Sequence, residues 1–439
     1  VSGNVSGTWG LTGSPYIVTG NLILLPSDSL IINPGTEIRF DGNYKFDIFG
    51  YISSVGTETD SIKFKQHQDT RWMSLNFAND SDDSSKLQYS IIEGGSESGY
   101  SPYNGMINCN QASPDILNNR ISNGTADGIH LYLSNSNISN NLITGINGDA
   151  IEGELNDTPL IDSNVISNIG ARAIYLENGD DVTISNNTFS EINNKGIYLE
   201  SGISSEITNN TFSGISNIGI DLGSGISSTI TNNQLVDVGY TGINLGLGNS
   251  SVITNNQLTN LDYRGIYLAN GGAGSNISNN NLDSIANDGI KIYNGNNATI
   301  ASNTVSNAGD SCGICVDSVD NSNISENSLT DITGIGINYG QGPNATISEN
   351  TITSTTDDCI YSSSDTNSIT IINNNFTDCG NKGISISGSN LYGLISGNTM
   401  IGGVDKGIYV YNLDYGQIVN NHIQGFEDNA LYVYSSENL

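Results

Sequence analysis

The sequence predicts an all-β fold, a right-handed parallel β-helix with about 23 residues per coil and an internal Asn ladder. Three observations carry this. Asn stands at 119, 141, 164, 187, 210, 233, 256, 280, 303, 327, 350, 374, 398 and 421, fourteen positions separated by 22 to 24 residues. Three residues before each stands an Ile, from Ile116 and Ile138 to Ile395 and Ile418, and two residues after each is an apolar side chain such as Phe189, Phe212 or Leu235. Ten or eleven residues after the Asn comes a further apolar position, usually preceded by Gly, as in Gly196-Ile197, Gly219-Ile220, Gly242-Ile243 and Gly265-Ile266. A fixed period of this length marks a solenoid. It leaves no room for helices of ten residues, and alternating runs such as Ile197-Tyr198-Leu199 read as strands.

Each element of the repeat has a physical reason. Equivalent strands stacked at about 4.8 Å put like residues above one another, so the Ile positions become apolar ladders inside the coil. Asn187, Asn210, Asn233, Asn256 and Asn280 then form a ladder at one turn, where side-chain amides bond to one another and satisfy turn backbone. The Gly before the second Ile fits a corner that needs either a positive φ or a close backbone approach. Ala150, Ala173, Cys359 and Ala430 replace it in some coils, so small size is the main demand. Residues 1–104 lack the Asn column and read as irregular N-terminal coils. Residues 105–439 read as fourteen regular repeats that stop in mid-coil with no evident cap. About nineteen such coils would make a rigid rod, and the uncapped strand edges fit equally end-to-end association into a fibre or a chain that is part of a longer protein.

The Asn-Asn-x-Phe/Leu units alternating with Gly-Ile-x-Leu resemble the right-handed parallel β-helix repeats of the NosD-like and pectate-lyase-like superfamily. The runs Tyr16-Ile17-Val18, Ile31-Ile32-Asn33-Pro34-Gly35-Thr36 and Ile62-Lys63-Phe64 resemble the first coils of secreted members. The resemblance implies the fold and a choice of roles, since the scaffold hosts lyases, hydrolases and epimerases as well as adhesins and inert spacers. Within that superfamily polygalacturonase-like enzymes carry Gly-His-Gly with Arg-x-Lys and alginate epimerases carry Asp-Pro-His, and this chain has none of these.

Charge and composition narrow the partners. With 13 Lys+Arg against 45 Asp+Glu, the formal net charge is −32. Nucleic acid is excluded as a partner, because phosphate binding needs clustered cations. No run reaches the roughly 18 apolar residues of a membrane helix, so insertion is not expected.

The candidate site is the outward stripe of the Gly-Ile strands. One position after the Ile stand His130, Glu152, Tyr175, Tyr198 and Asp221, two further come Glu154, Glu177 and Glu200, and Asp127, Asp149, Arg172 and Lys195 precede the same strands. Tyr beside carboxylates suits sugar contact, with ring faces on C–H groups and carboxylates accepting from hydroxyls. Tyr175, Tyr198, Glu154, Asp221 and His130 are therefore the carbohydrate-contact candidates. Glu177 and Glu200 sit one strand apart, near the roughly 5 Å of retaining glycosidases, and with Glu152 they are the catalytic candidates if the chain is an enzyme. Closely stacked Glu also form an oxygen-ligand set for Ca²⁺, the one cofactor the sequence raises. No His/Cys metal-binding set is expected.

Thirteen Asn-x-Ser/Thr sequons are no more than this Asn- and Ser-rich composition supplies by chance. Asn249, Asn297, Asn344, Asn137, Asn276 and Asn323 are the candidates for carrying glycans. Of five cysteines, Cys359 and Cys379 fall in adjacent turns and make the better disulfide, Cys312–Cys315 the weaker one. Together these features read as an extracellular or cell-surface, non-catalytic rod that bears or contacts glycans. The alternative is a carbohydrate-active enzyme, a polysaccharide lyase or glycoside hydrolase.

Overall fold

The computed structural model describes residues 1–79, 81–96, 104–155, 158–270, 272–363 and 368–438. It is a right-handed parallel β-helix of about 18 turns, roughly 23 residues each. The backbone falls into two compact units, Val1–Asp221 and Leu222–Leu439.

In the first unit a turn runs through three strands in three parallel sheets. Ile174–Asn178 belongs to sheet A, Thr183–Ser185 to sheet B and Thr188–Ile192 to sheet C. The next turn repeats them in register, Ile174 facing Ile197, Ile184 facing Ile207 and Phe189 facing Phe212. Like residues therefore stack, and Phe189 and Phe212 lie with ring centroids 4.7 Å apart inside the coil. Strands Gly3–Asn4, Gly7–Trp9 and Tyr16–Val18 already take the same three sheets. There the interior holds Phe40 stacked on Trp72 at 4.6 Å.

The second unit follows the same plan, with Ile243 facing Ile266, Ile253 facing Ile277 and Leu258 facing Leu282. Its ladder shows what the Asn does. Asn256 donates from Nδ2 to the Ile230 carbonyl at 2.9 Å and to Asn280 Oδ1 at 3.0 Å, while its backbone N–H reaches the same Oδ1 at 3.0 Å. Its own Oδ1 accepts in turn from the backbone and side chain of Asn233. In the first unit Asn164 makes the same set with Ile138 and Asn187. The residue preceding the ladder Asn has a positive φ, 57° at Asn186 and at Asn232 and 58° at Asn255, which Asn tolerates better than other side chains. This doubles the Asn requirement at that corner.

A second left-handed column lies inside the sheet C strands, at Asn168, Glu191, Asp237 and Asn260. It kinks each strand so that residues three apart, such as Phe189 and Ile192, both point inward. The Gly before each sheet A strand answers the other demand. At Gly265 and Gly289 φ is not left-handed, but an added Cβ would stand 2.4 Å from the Gly289 carbonyl and 2.5 Å from the Gly313 carbonyl of the next turn. Close approach, not φ, excludes larger side chains there.

Two stability outcomes follow. Asn256→Ala leaves the Asn233 N–H and the Ile230 carbonyl unpaired in the interior, and at about 1–3 kcal/mol per orphaned group it costs about 3 kcal/mol or more in urea denaturation. On sheet C of the first unit, burial opposes ionisation of Glu37, but hydrogen bonds from Lys63 (3.0 Å) and Arg39 and the charge of Lys65 win and hold its pKa at about 2. A lowered carboxylate pKa stabilises the fold above the unfolded value near 4.5 and ceases to do so as pH falls towards 2. Glu37→Gln therefore lowers stability by about 1–2 kcal/mol at pH 7, with partly exposed partners screening the pair, and by nothing near pH 2.

Candidate functional site

The corner that leads into each sheet A strand fixes the site's geometry. The corner residue and the residue three further on come together on the outer face. Arg172 lies 3.5 Å from the centroid of the Tyr175 ring and Lys195 Nζ 3.6 Å from that of Tyr198. Because turns are in register, corner side chains also reach charged side chains one strand away, in the corner column or in the column beyond it. Arg172 forks onto Asp149, Nη2 to Oδ2 at 2.7 Å and Nε to both oxygens at 3.1 Å, and Lys195 meets Asp221 at 2.5 Å. Two interleaved columns result, Asp127-Asp149-Arg172-Lys195 at the corner and His130-Glu152-Tyr175-Tyr198-Asp221 beyond it.

At the first of these turns no cation faces the acid. Asp127 Oδ1 accepts the Asp149 N–H at 2.7 Å, and its carboxyl hydrogen-bonds that of Glu152. Burial first, then the hydrogen bond and charge of Glu152, hold the Asp127 pKa well above the carboxylate range. An added Cβ at Gly148 would collide with Asp127 Oδ1, so the Gly makes room for the pair. His130 is fully buried; its Nε2 lies 3.6 Å from Glu152 Oε2 and 3.4 Å from Glu154 Oε1, and its Nδ1 has no partner.

The remaining sequence candidates sort by exposure. Glu152 and Glu154 are partly open, with side chains 17% and 28% exposed. Glu177 and Glu200 are exposed on adjacent strands, and Glu200 Oε1 accepts from Tyr175 Oη at 2.7 Å. Burial and that acceptor raise the Tyr175 pKa, so its phenol keeps its proton. Tyr175 and Tyr198 stack at 5.4 Å, but their rings are also covered by Arg172 and Lys195. Ring-face contact with a sugar is therefore restricted, and these tyrosines offer edges and hydroxyls. His130 and Asp221 are buried, which removes them from direct sugar contact, against the expectation from the stripe. Sequence spacing placed Asp127, Asp149, Arg172 and Lys195 beside the strands without giving them a role; their three-residue offset from the stripe is the signal that unites the two columns.

Elsewhere, Cys359 pairs with Cys379 at a Cα separation of 5.4 Å and Cys312 with Cys315 at 5.7 Å. Among the sequon candidates Asn297, Asn323 and Asn344 are exposed, while Asn137, Asn249 and Asn276 are half-buried. Asn297 sits in a left-handed turn with its side-chain amide free of hydrogen bonds. Among the described residues no helix is long and apolar enough to cross a membrane.

The chain matches the right-handed beta helix region over residues 128–282, 264–413 and 312–439, and it belongs to that family. No curated protein matches it. Among solved structures it is similar to the A-module of a mannuronan C-5 epimerase from Azotobacter vinelandii, at 13% identity over 97% of this chain and 91% of that one, TM-score 0.30. It is also similar to an alginate lyase from Paenibacillus sp. str. FPU-7, at 15% identity over 63% of this chain and 88% of that one, TM-score 0.31. A third is a DFA-IIIase from Arthrobacter chlorophenolicus A6, at 11% identity over 72% and 77%, TM-score 0.31. Likeness at this level leaves function to the site itself.

The raised pKa of Asp127 gives a direct check. A raised carboxyl pKa means the folded state loses stability as pH climbs from the unfolded value near 3.9 towards the raised one. Asp127→Asn keeps an acceptor for Asp149 and a donor for Glu152 but has no proton to lose. It therefore melts at or above the parent temperature at pH 8 and loses that advantage below pH 4, as thermal unfolding across pH will show.

Proposed function

We propose that the outer face of sheet A between Asp127 and Asp221 binds a polysaccharide and that the chain is a carbohydrate-active enzyme, a glycoside hydrolase. The observation that carries this is the placement of the largely buried Asp127, whose pKa is raised, beside Glu152 at the edge of an open acidic face. Asp127, its pKa raised first by burial and then by the neighbouring Glu152, supplies the proton that reaches the glycosidic oxygen by way of the more open Glu152. Glu154 stands two residues along the same strand, hence on the same face, where its carboxylate and that of Glu152 both approach His130 Nε2 and Glu154 is placed to activate a water. His130, against both Glu152 and Glu154, sets their spacing from below. Glu177, Glu200 and the tyrosine hydroxyls accept and donate to sugar hydroxyls along the face.

A second reading, a non-catalytic extracellular or cell-surface protein that contacts or bears glycans, is favoured by the completeness of the Arg172–Asp149 and Lys195–Asp221 pairs. They leave no unpaired cation at the centre of the face. A Cys359–Cys379 disulfide and the free Asn297 amide are in keeping with an oxidising, secreted setting in either reading.

Hydrolysis of a polysaccharide panel, read by reducing ends, separates the two. In the enzymatic reading Glu152→Gln and Glu154→Gln lose about 100-fold or more, in line with the about 10²–10⁴-fold worth of positioned acid–base groups, while melting temperature holds. Asp127→Asn loses the alkaline side of the pH–rate profile first. Parent protein that binds glycan and releases no reducing ends from any of them leaves the non-catalytic reading standing.

A further inference from the structure

A second buried cluster lies in the other unit and is independent of the carbohydrate reading. Arg264, Asp288 and Cys312 occupy successive corners, and Lys291 and Cys315 stand three residues after the latter two. Asp288 is 1% exposed, Cys312 fully buried and Cys315 6% exposed. The carboxylate of Asp288 is divided in its partners. Oδ2 is held by Arg264 Nε at 2.9 Å and Lys291 Nζ at 3.3 Å. Oδ1 faces only sulfur, Cys315 Sγ at 3.0 Å and Cys312 Sγ at 3.8 Å.

That arrangement does not suit the disulfide that joins the two cysteines. Disulfide sulfurs carry no hydrogen, so a buried carboxylate oxygen aimed at them lacks a donor and bears the cost of its lost hydration. Two thiols supply donors, and a metal ion supplies an electrophile. The three ligand atoms gather within 4.8 Å of one another. Zn²⁺ takes thiolate at about 2.3 Å and carboxylate at about 2.0–2.2 Å, which puts ligands of one tetrahedral ion roughly 3.3–3.8 Å apart; the oxygen–sulfur distances of 3.0 and 3.8 Å lie around that span, and the sulfurs, bonded to each other in the disulfide, reach it only once that bond is opened. Arg264 and Lys291 then act on the outer oxygen as orienting partners of a metal-bound carboxylate. A cavity of about 300 Å³, lined by Ser311, Asp317, Asn338 and Tyr361, adjoins the sulfurs and gives access for a fourth ligand such as water.

We infer that Cys312, Cys315 and Asp288 form a redox-gated site for a soft dication of the zinc class, closed as the disulfide and open as the dithiol. Opening consumes two electrons and two protons from a low-molecular-weight dithiol, which leaves as its own cyclic disulfide while the Cys312–Cys315 bond breaks. Binding then exchanges two thiol protons for one M²⁺, so the charge of the site is unchanged by the exchange, and Asp288 Oδ1 gains the partner it lacks.

The test uses the whole chain, reduced under native conditions with a phosphine that is then removed, and titrated with Co²⁺ as a spectroscopic stand-in for Zn²⁺. The expected result is one Co²⁺ per chain with a thiolate charge-transfer band, displaced by Zn²⁺ and undiminished in a Cys359→Ser/Cys379→Ser variant. Unreduced protein takes up none. Cys312→Ser/Cys315→Ser abolishes the band. Asp288→Asn retains both sulfurs, so it still reads the site should the cysteine variant misfold; it weakens binding at least about tenfold, the lower bound for losing even an outer partner of a ligand. Absence of the band in reduced, folded protein, its persistence without Cys312 and Cys315, or equal affinity in Asp288→Asn overturns the inference. Far-UV circular dichroism on each sample confirms that the β-fold is present.

Discussion

The buried Asn column is the constraint on which the other features depend. A β-helix turn has no hydrophobic core of its own; it buries its apolar side chains only against the turns on either side. That forces every corner to recur at the strand spacing, and at the tight corner between sheets B and C backbone groups turn inward. Asn solves this because one amide both donates and accepts. Asn164 satisfies the Ile138 carbonyl behind it and the Asn187 side chain ahead. Replacing any rung orphans groups on both neighbours, so the register of one turn is transmitted to the next through hydrogen bonds as well as packing.

Register converts a one-dimensional sequence period into columns of side chains, and the columns make the outer chemistry. On sheet A the corner residue and the residue three later share a face, so charge on one turn is decided by charge on the next. Asp149 has Arg172 and Asp221 has Lys195. With 45 acidic residues against 13 basic ones, the corners run out of cations. Where the neighbour of an Asp is a Glu, as at Asp127, a proton takes the place of the missing cation. The feature proposed to do chemistry thus arises from the same stacking that holds the coil together.

How much of this can be read from sequence depends on whether one residue type or a pair of neighbours carries the information. The Ile and Asn columns are single-type and strictly periodic, so fold, turn length and ladder were legible at once. The small residue before Ile197 or Ile290 was legible as a demand for space, and the structure resolves it as a carbonyl of the next turn. The left-handed kink at Asn168, Glu191 and Asp237 was not, because Asn, Glu and Asp share no common signature that separates a kink from a polar strand position. The stripe of His130, Glu152 and Tyr175 was legible as an outward face. The burial of His130 was not, since it depends on the neighbours in register on both sides, Asn108 on the turn before and Glu152 on the turn after. Nor was the role of Asp127, which depends on what stands opposite it one strand away.

Four aspartates at the same corner make the point most directly. Asp127, Asp149, Asp288 and Asp358 occupy equivalent backbone positions and are all largely buried. Asp149 is an ion-pair partner because Arg172 follows it at the next corner. Asp127 is a proton carrier because Glu152 faces it and no cation does. Asp358 has its pKa raised by burial even with Lys382 nearby, since that ammonium stands 3.8 Å away and its pull does not offset the lost hydration. Asp288 has cations on one oxygen and sulfur on the other, which divides its two lone-pair faces between anchoring and ligation. The backbone dictates that a carboxylate at this corner is desolvated; the identity of the next corner decides what relieves it. In a solenoid, therefore, a site is specified by a residue and its successor one turn on, and single-position patterns read the scaffold while pairs offset by a turn read the chemistry.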